Sequence, residues 1–183
     1  MRIVLIAAII IGSLTTGVDC ARGADSRAET LIRAGLLEGC DGFIHKNVAE
    51  ATALYDRNVY EFNLTPPQRG NHEDYAQLVE DNRELIASIV GTPTCIYHDM
   101  HIKVLDAKFA YARYVLNYSA MLKSGVKIDV DGRGTDIFEK IAGKWMVIHE
   151  QFSVPVDLVS GRAVLKESAG DGPRSDLRGR HGR

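Results

Sequence analysis

Apolar residues recur along this chain first at helical intervals and then at strand intervals. Between Ser26 and Lys46, the residues Ile32, Leu36 and Phe43, with Gly35 and Gly39 among them, follow a helical stripe. Ser26 and Glu29 have the spacing of a capping box, which predicts the helix start. Gly35, Gly39 and Gly42 weaken the helix and leave room for another element to approach. A second short helix is predicted over 47–55, with Asn47 as its cap and Glu50 three residues on. A short strand follows over 59–64 and is ended by Pro66-Pro67. A third helix is predicted from Asn71 to about Val90, with Tyr75, Leu78, Val79, Leu85, Ile86 and Ile89 on its buried side.

After Gly91-Thr-Pro93 the pattern changes to long strands over 94–105, 109–122 and 126–141. Ala142-Gly143-Lys144 supplies a turn, and Trp145 to Val154 forms the last strand until Pro155 stops it. These four strands are expected to form an antiparallel meander. In the last strand, simple alternation places Trp145, Val147, His149, Gln151 and Ser153 on one face and Met146, Ile148, Glu150, Phe152 and Val154 on the other. Both faces are largely apolar, so both are expected to be covered, one by helices and the other by a partner subunit. Helices followed by antiparallel strands predict an α+β fold. A curved sheet wrapped around a long helix leaves a cavity suited to a small molecule.

Composition fits one domain with a real core: 183 residues, 45% hydrophobic and 25% charged. The formal charge is -2. An acidic body over 25–158 precedes a tail over 159–183, where Arg162, Lys166, Arg174, Arg178, Arg180 and Arg183 outnumber the acids. The body lacks the basic patch that nucleic acid requires. The tail is rich in Gly, Ser, Arg and Asp and is expected to be disordered.

Arg2 and the apolar run Ile3 to Ile11 form a secretory signal pattern over 1–24, too short for a comfortable membrane span. A periplasmic or secreted protein is expected, without stable membrane insertion once the signal is removed. Two cysteines then remain, Cys40 and Cys95. They are free to pair in an oxidising compartment, but two cysteines make no framework, and two buried unpaired thiols are the expectation.

The stretches Leu54-Tyr55-Asp56, Phe62-Asn63, Pro66-Pro67, Thr135-Asp136-Ile137-Phe138, Gly143-Lys144-Trp145, and His149-Glu150-Gln151 followed by Ser153-Val154-Pro155 together resemble the SnoaL-like, ketosteroid-isomerase-like proteins of the nuclear transport factor 2 fold superfamily. The resemblance spans about residues 27–158. It implies a cone in which a strongly curved antiparallel sheet wraps N-terminal helices around an apolar cavity. It also implies a homodimer joined through the outer sheet face. Asp136 matches the aspartic acid that donates to the substrate oxyanion in ketosteroid isomerase. The general-base aspartate of that enzyme falls near Asn63, which cannot take a proton in the same way. Its oxyanion-hole tyrosine falls near Gly39. Steroid isomerisation by that route is therefore not expected.

Asp136 and His149 are the candidate catalytic pair. A carboxyl group in an apolar cone resists ionisation and can donate a hydrogen bond, while a histidine can carry protons near neutral pH. The competing readings are a structural aspartate and a hydrogen-bonded core or interface histidine. Asn63, Tyr114, Phe138 and Gln151 are candidate substrate contacts. Strand alternation leaves only Asp99 and His101 of the His98-Asp-Met-His101 stretch on one face, too few ligands for a metal. No cofactor motif is present. Two functions stay open. One is an exported protein that binds a small, mostly apolar molecule, with cofactor-free isomerase, cyclase or dehydratase chemistry. The other is a non-catalytic dimeric ligand-binding or interaction module.

Overall fold

The computed structural model describes residues 16–64 and 75–166. The apolar run of the signal pattern and the tail beyond residue 166 lie outside them. Helix α1 spans Thr16–Ile44 and α2 spans Val48–Ala51. Strand β1 is Tyr55–Phe62 and α3 is Tyr75–Ser88. Four long strands follow: β2 Ile89–Val104, β3 Phe109–Leu122, β4 Lys127–Ile141 and β5 Lys144–Ser153. A small hairpin, β6 Val156–Asp157 with β7 Arg162–Ala163, ends the described chain.

The expected α+β architecture is present, with the helices laid against one face of a five-stranded sheet. Its order is β1-β5-β4-β3-β2. The meander from β2 to β5 is antiparallel, as its turn residues imply. Strand β1, expected over 59–64, begins earlier at Tyr55, and the residue pattern gave it no partner in the sheet. It pairs parallel with β5, which makes the sheet mixed.

Several local expectations change. The first helix starts ahead of Ser26, so Ser26 and Glu29 cap nothing: the Ser26 carbonyl already accepts a bond from Thr30 Oγ1 at 2.9 Å inside the helix. The cap at Asn47 holds, with its Oδ1 accepting from the Glu50 amide and its Nδ2 donating to Glu50 Oε2 at 3.0 Å. Gly42 is required by contact, because a Cβ there would meet the Ala51 backbone nitrogen at 2.4 Å. Residues 159–166, assigned to the tail from sequence, are held by the β6–β7 hairpin, by the Asp131 amide donating to the Leu165 carbonyl at 2.7 Å, and by the Lys166–Asp129 ion pair.

Cys40 and Cys95 form a disulfide that ties α1 to β2, with Cα atoms 5.5 Å apart, where unpaired thiols were expected. Spacing from Ile32, Leu36 and Phe43 turns Cys40 to the buried side of α1. Cys95 faces inward on β2 directly beneath it. Pairing depends on how the helix crosses the sheet, which residue spacing does not encode.

The main core joins Ile32 and Leu36 of α1 to Val59, Leu78, Phe138, Trp145 and Val147. A second cluster of Phe43, Ile86, Ile89 and Ala120 closes the other end. Burying side chains of this size contributes on the order of 1.5–3 kcal/mol each.

Candidate functional site

The site is set by an irregularity in β5. Phe138 pairs with Val147, but its neighbour Ile137 pairs with His149, so Ile148 has no partner across the ladder. One extra residue reverses the alternation downstream. Trp145 and Val147 face inward as expected, but beyond Ile148 it is Glu150 and Phe152 that face inward, and His149 and Gln151 that face out. The inner face of β4 carries Val130, Gly132, Gly134, Asp136 and Phe138 without interruption.

Glu61 of β1 is therefore in register with Glu150 of β5, and Glu150 is in register with Asp136 of β4. Three acidic residues stand side by side across three adjacent strands, all on the helix-covered face. Their exposures are 7%, 9% and 1%. Tyrosines attend two of them. Tyr114 donates its hydroxyl hydrogen bond to Asp136 Oδ1 at 2.9 Å, and Tyr55 donates to Glu150 Oε2. Tyr97 packs edge-on against Tyr114, with ring centroids 4.7 Å apart.

Gly134 explains how Tyr114 reaches its partner. A Cβ at position 134 would lie 2.1 Å from the Tyr114 ring. The ring lies flat on the bare glycine backbone, and its hydroxyl arrives beside Asp136 two residues along β4. Gly132 accommodates Phe152 in the same way, with 2.0 Å from the built Cβ to the ring.

Burial decides the protonation of the row. It pushes the Asp136 carboxyl up to about 7, with the Glu61 charge adding to the rise and the Tyr114 hydrogen bond opposing it. Burial, then the charges of Asp136 and Glu61, hold Glu150 well above the usual carboxylate range, against the pull of Tyr55. Like charges this close in a dry site cannot all ionise. Near neutral pH the Asp136–Glu150 pair keeps at least one proton and can donate it to a hydrogen-bond acceptor.

Glu150 opens onto a cavity of about 440 Å³ between α1, α2, α3 and the inner sheet face. Leu36, Phe43, Leu54, Leu116, Val130 and Phe152 give it apolar walls, and the disulfide forms part of the lining. Polar groups along the wall are Glu61, Asn63, Asp81, Asn82, Tyr118 and Glu150. The Tyr118 hydroxyl is buried with no hydrogen-bond partner, and burial pushes its pKa up to about 12.

The structure divides the residues proposed from sequence. Asp136 is inward and buried on β4 but does not line the cavity, which β4 meets at Ile128 and Val130. Tyr114 is its hydrogen-bond partner rather than a wall residue. Phe138 is fully buried core and does not reach the cavity. Asn63 does line it, with its Oδ1 accepting from the Leu64 amide at 2.6 Å. His149 and Gln151 are on the opposite face of the sheet, which corrects the expectation that they share a pocket with Asp136. His149 Nδ1 lies 2.8 Å from the Tyr60 carbonyl oxygen, and its ring stacks on Tyr60. Sequence reasoning missed Glu150, Glu61 and Tyr55. For Glu61 a visible signal was there, an acid between Tyr60 and Phe62, whereas Glu150 sits between His149 and Gln151 and gave none.

The His98–His101 stretch also departs from simple alternation. A register shift falls between the two histidines, and Asp99 takes φ 49°. Their partners Val115 and Arg113 face outward, so His98 and His101 share the outer face instead of Asp99 and His101. Among the described residues, no group of three or more His, Cys, Asp or Glu is placed to hold a metal ion. No helix among the described residues is long and apolar enough to cross a membrane.

Solved structures share this architecture. An NTF2-like protein of unknown function from Pseudomonas putida superposes with a TM-score of 0.68 at 16% identity, covering 78% of this chain and 97% of that one. An NTF2-like superfamily protein from Salmonella enterica gives 0.62 at 16% identity, over 80% and 98%. A Novosphingobium aromaticivorans protein provisionally named scytalone dehydratase gives 0.63 at 13% identity, over 72% and 86%. The chain has the NTF2-like cone fold. No protein-family model matches the sequence, and no curated protein matches it.

Proposed function

We propose that the protein binds a small, mostly apolar molecule in its cone and that the Asp136–Glu150 pair supplies acid-base chemistry there without a cofactor. The observation that carries this reading is a carboxyl pair, shielded from water and able to hold a proton, whose Glu150 stands at the wall of a cavity of ligand size. Glu150 touches the bound molecule and gives or takes the proton. Asp136 sets how tightly Glu150 holds it, and Tyr114 and Tyr55 fix both carboxyls in place. Isomerisation and dehydration are reactions that such a pair serves, since each moves one proton on and another off. The provisional dehydratase name of one structural neighbour agrees with this class.

Export and dimerisation belong to the same proposal. The disulfide suits an oxidising compartment outside the cytoplasm, in keeping with the signal pattern. Tyr60, Phe62 and Ile137 are partly exposed on the outer sheet face, beside His149. That apolar surface favours a homodimer across the outer face.

Thermal-shift screening against small uncharged cyclic molecules tests the binding reading. The expected result is a set of ligands that raise the Tm of the wild type but not of Val130→Trp, whose indole fills the cavity. Equal shifts in both proteins would place binding elsewhere and overturn the reading.

A further inference from the structure

The charge pattern of the cavity narrows the chemical class of its ligand, given the reading of that cavity as a binding site. Acids line it and bases do not: among the described residues of the lining there is no Lys, Arg or His. The acids are not grouped on an exposed surface. Glu150 and Asp136 are at least nine-tenths buried and in register, and tyrosine hydroxyls are the partners that the structure gives them. Glu61 has further interactions of its own, and the inference rests on the other two.

Among the described lining residues no base stands against the pair, so ionising it fully would bury charge without a counter-charge, which is costly and keeps a proton on it. A guest that brings a positive charge relieves that cost. A guest that brings a negative charge adds to it. The walls fit the same guest. Phe43, Tyr55, Tyr97, Tyr118 and Phe152 present aromatic rings to the cavity, and aromatic faces attract cations as well as apolar bodies.

We infer that the cavity takes an organic amine, bound as its ammonium form with the nitrogen at Glu150 and an aromatic or alicyclic body between α1 and the inner sheet face. The ammonium group donates to the Glu150 oxygen that Tyr55 leaves free. Asp136, across the ladder from Glu150, keeps the proton that the pair retains.

Three probes of equal length separate the possibilities: 4-phenylbutylamine, 4-phenylbutanol and 4-phenylbutyrate, titrated by calorimetry into the full chain at pH 7.5. The amine is expected to bind at least about tenfold more tightly than the alcohol, which corresponds to about 1.4 kcal/mol. The carboxylate is expected to bind more weakly than the alcohol. Glu150→Gln should erase the preference for the amine while keeping alcohol binding within about threefold, which also shows that the variant is folded. Asp136→Asn, which leaves Glu150 as the charged member, should keep the preference for the amine. Equal binding of amine and alcohol, or tighter binding of the carboxylate, overturns the amine inference and leaves the cavity reading standing. If none of the three binds, both fall.

Discussion

Glu150 faces Asp136 directly across the β4–β5 ladder, both on the buried side of the sheet and each held by one tyrosine. The pairing exists only because Ile148 is an extra residue in β5. Without that bulge, His149 would stand opposite Asp136 and Glu150 would face outward.

The pair makes stability depend on pH in a direction opposite to that of a salt-bridged acid. Burial raises the Asp136 carboxyl from its unfolded value of 3.8 to about 7. Between those values the unfolded chain binds fewer protons than the folded one, so stability falls as pH rises through the window. Asp136→Asn keeps an acceptor for Tyr114 and removes the ionisation. Its Tm should vary less between pH 4 and 7, and it should exceed the wild type in stability by about 1–3 kcal/mol at pH 8. Thermal and urea denaturation between pH 4 and 8 measure both.

Gly134 should tolerate no side chain. The Cβ of Gly134→Ala displaces the Tyr114 ring and breaks its bond to Asp136. The expected loss is about 1–3 kcal/mol. Combining it with Tyr114→Leu, which makes space at the same point, should cost less than the sum of the two single changes. A double-mutant cycle by chemical denaturation shows this as a favourable coupling.

The disulfide closes a loop of 55 residues. Replacing both Cys40 and Cys95 with Ser should lower stability by about 2–4 kcal/mol through the freedom returned to the unfolded chain. The denatured, unreduced protein should show no reactive thiol from Cys40 or Cys95, and a thiol assay before and after reduction settles the point.

The outer face carries the proposed dimer contact. Phe62→Ser with Ile137→Ser removes its exposed apolar groups and leaves the cavity residues alone. Sedimentation should show a dimer for the wild type and a monomer for the double variant. His149→Ala should leave probe binding in the cavity within about twofold, because that ring contacts Tyr60 and Phe62 on the far side of the sheet.

Much of this fold could be read from residue patterns. Helical spacing of Ile32, Leu36 and Phe43 located α1, and the glycine turn at 143 marked the ends of two strands. Asp136 stood out because a buried strand had no evident use for an acid. The rest of the site was hidden for a definite reason. A bulge is a property of two strands together, and the sequence of β5 alone does not show which residue lacks a partner. The same holds for the parallel placement of β1, which brings Glu61 beside Glu150, and for the cysteine pair. Each depends on contacts between segments far apart in the chain.

The most direct test of the account is a carbon-detected NMR titration of the side-chain carboxyl groups, with Asp136→Asn and Glu150→Gln used to assign them. Two coupled carboxyls that belong to this pair are expected, one titrating near pH 7 and the other well above the ordinary glutamate range. Removing either should lower the midpoint of its partner. If every carboxyl in the protein titrates below about pH 5, the pair is not a buried proton-holding site, and the proposed chemistry is contradicted.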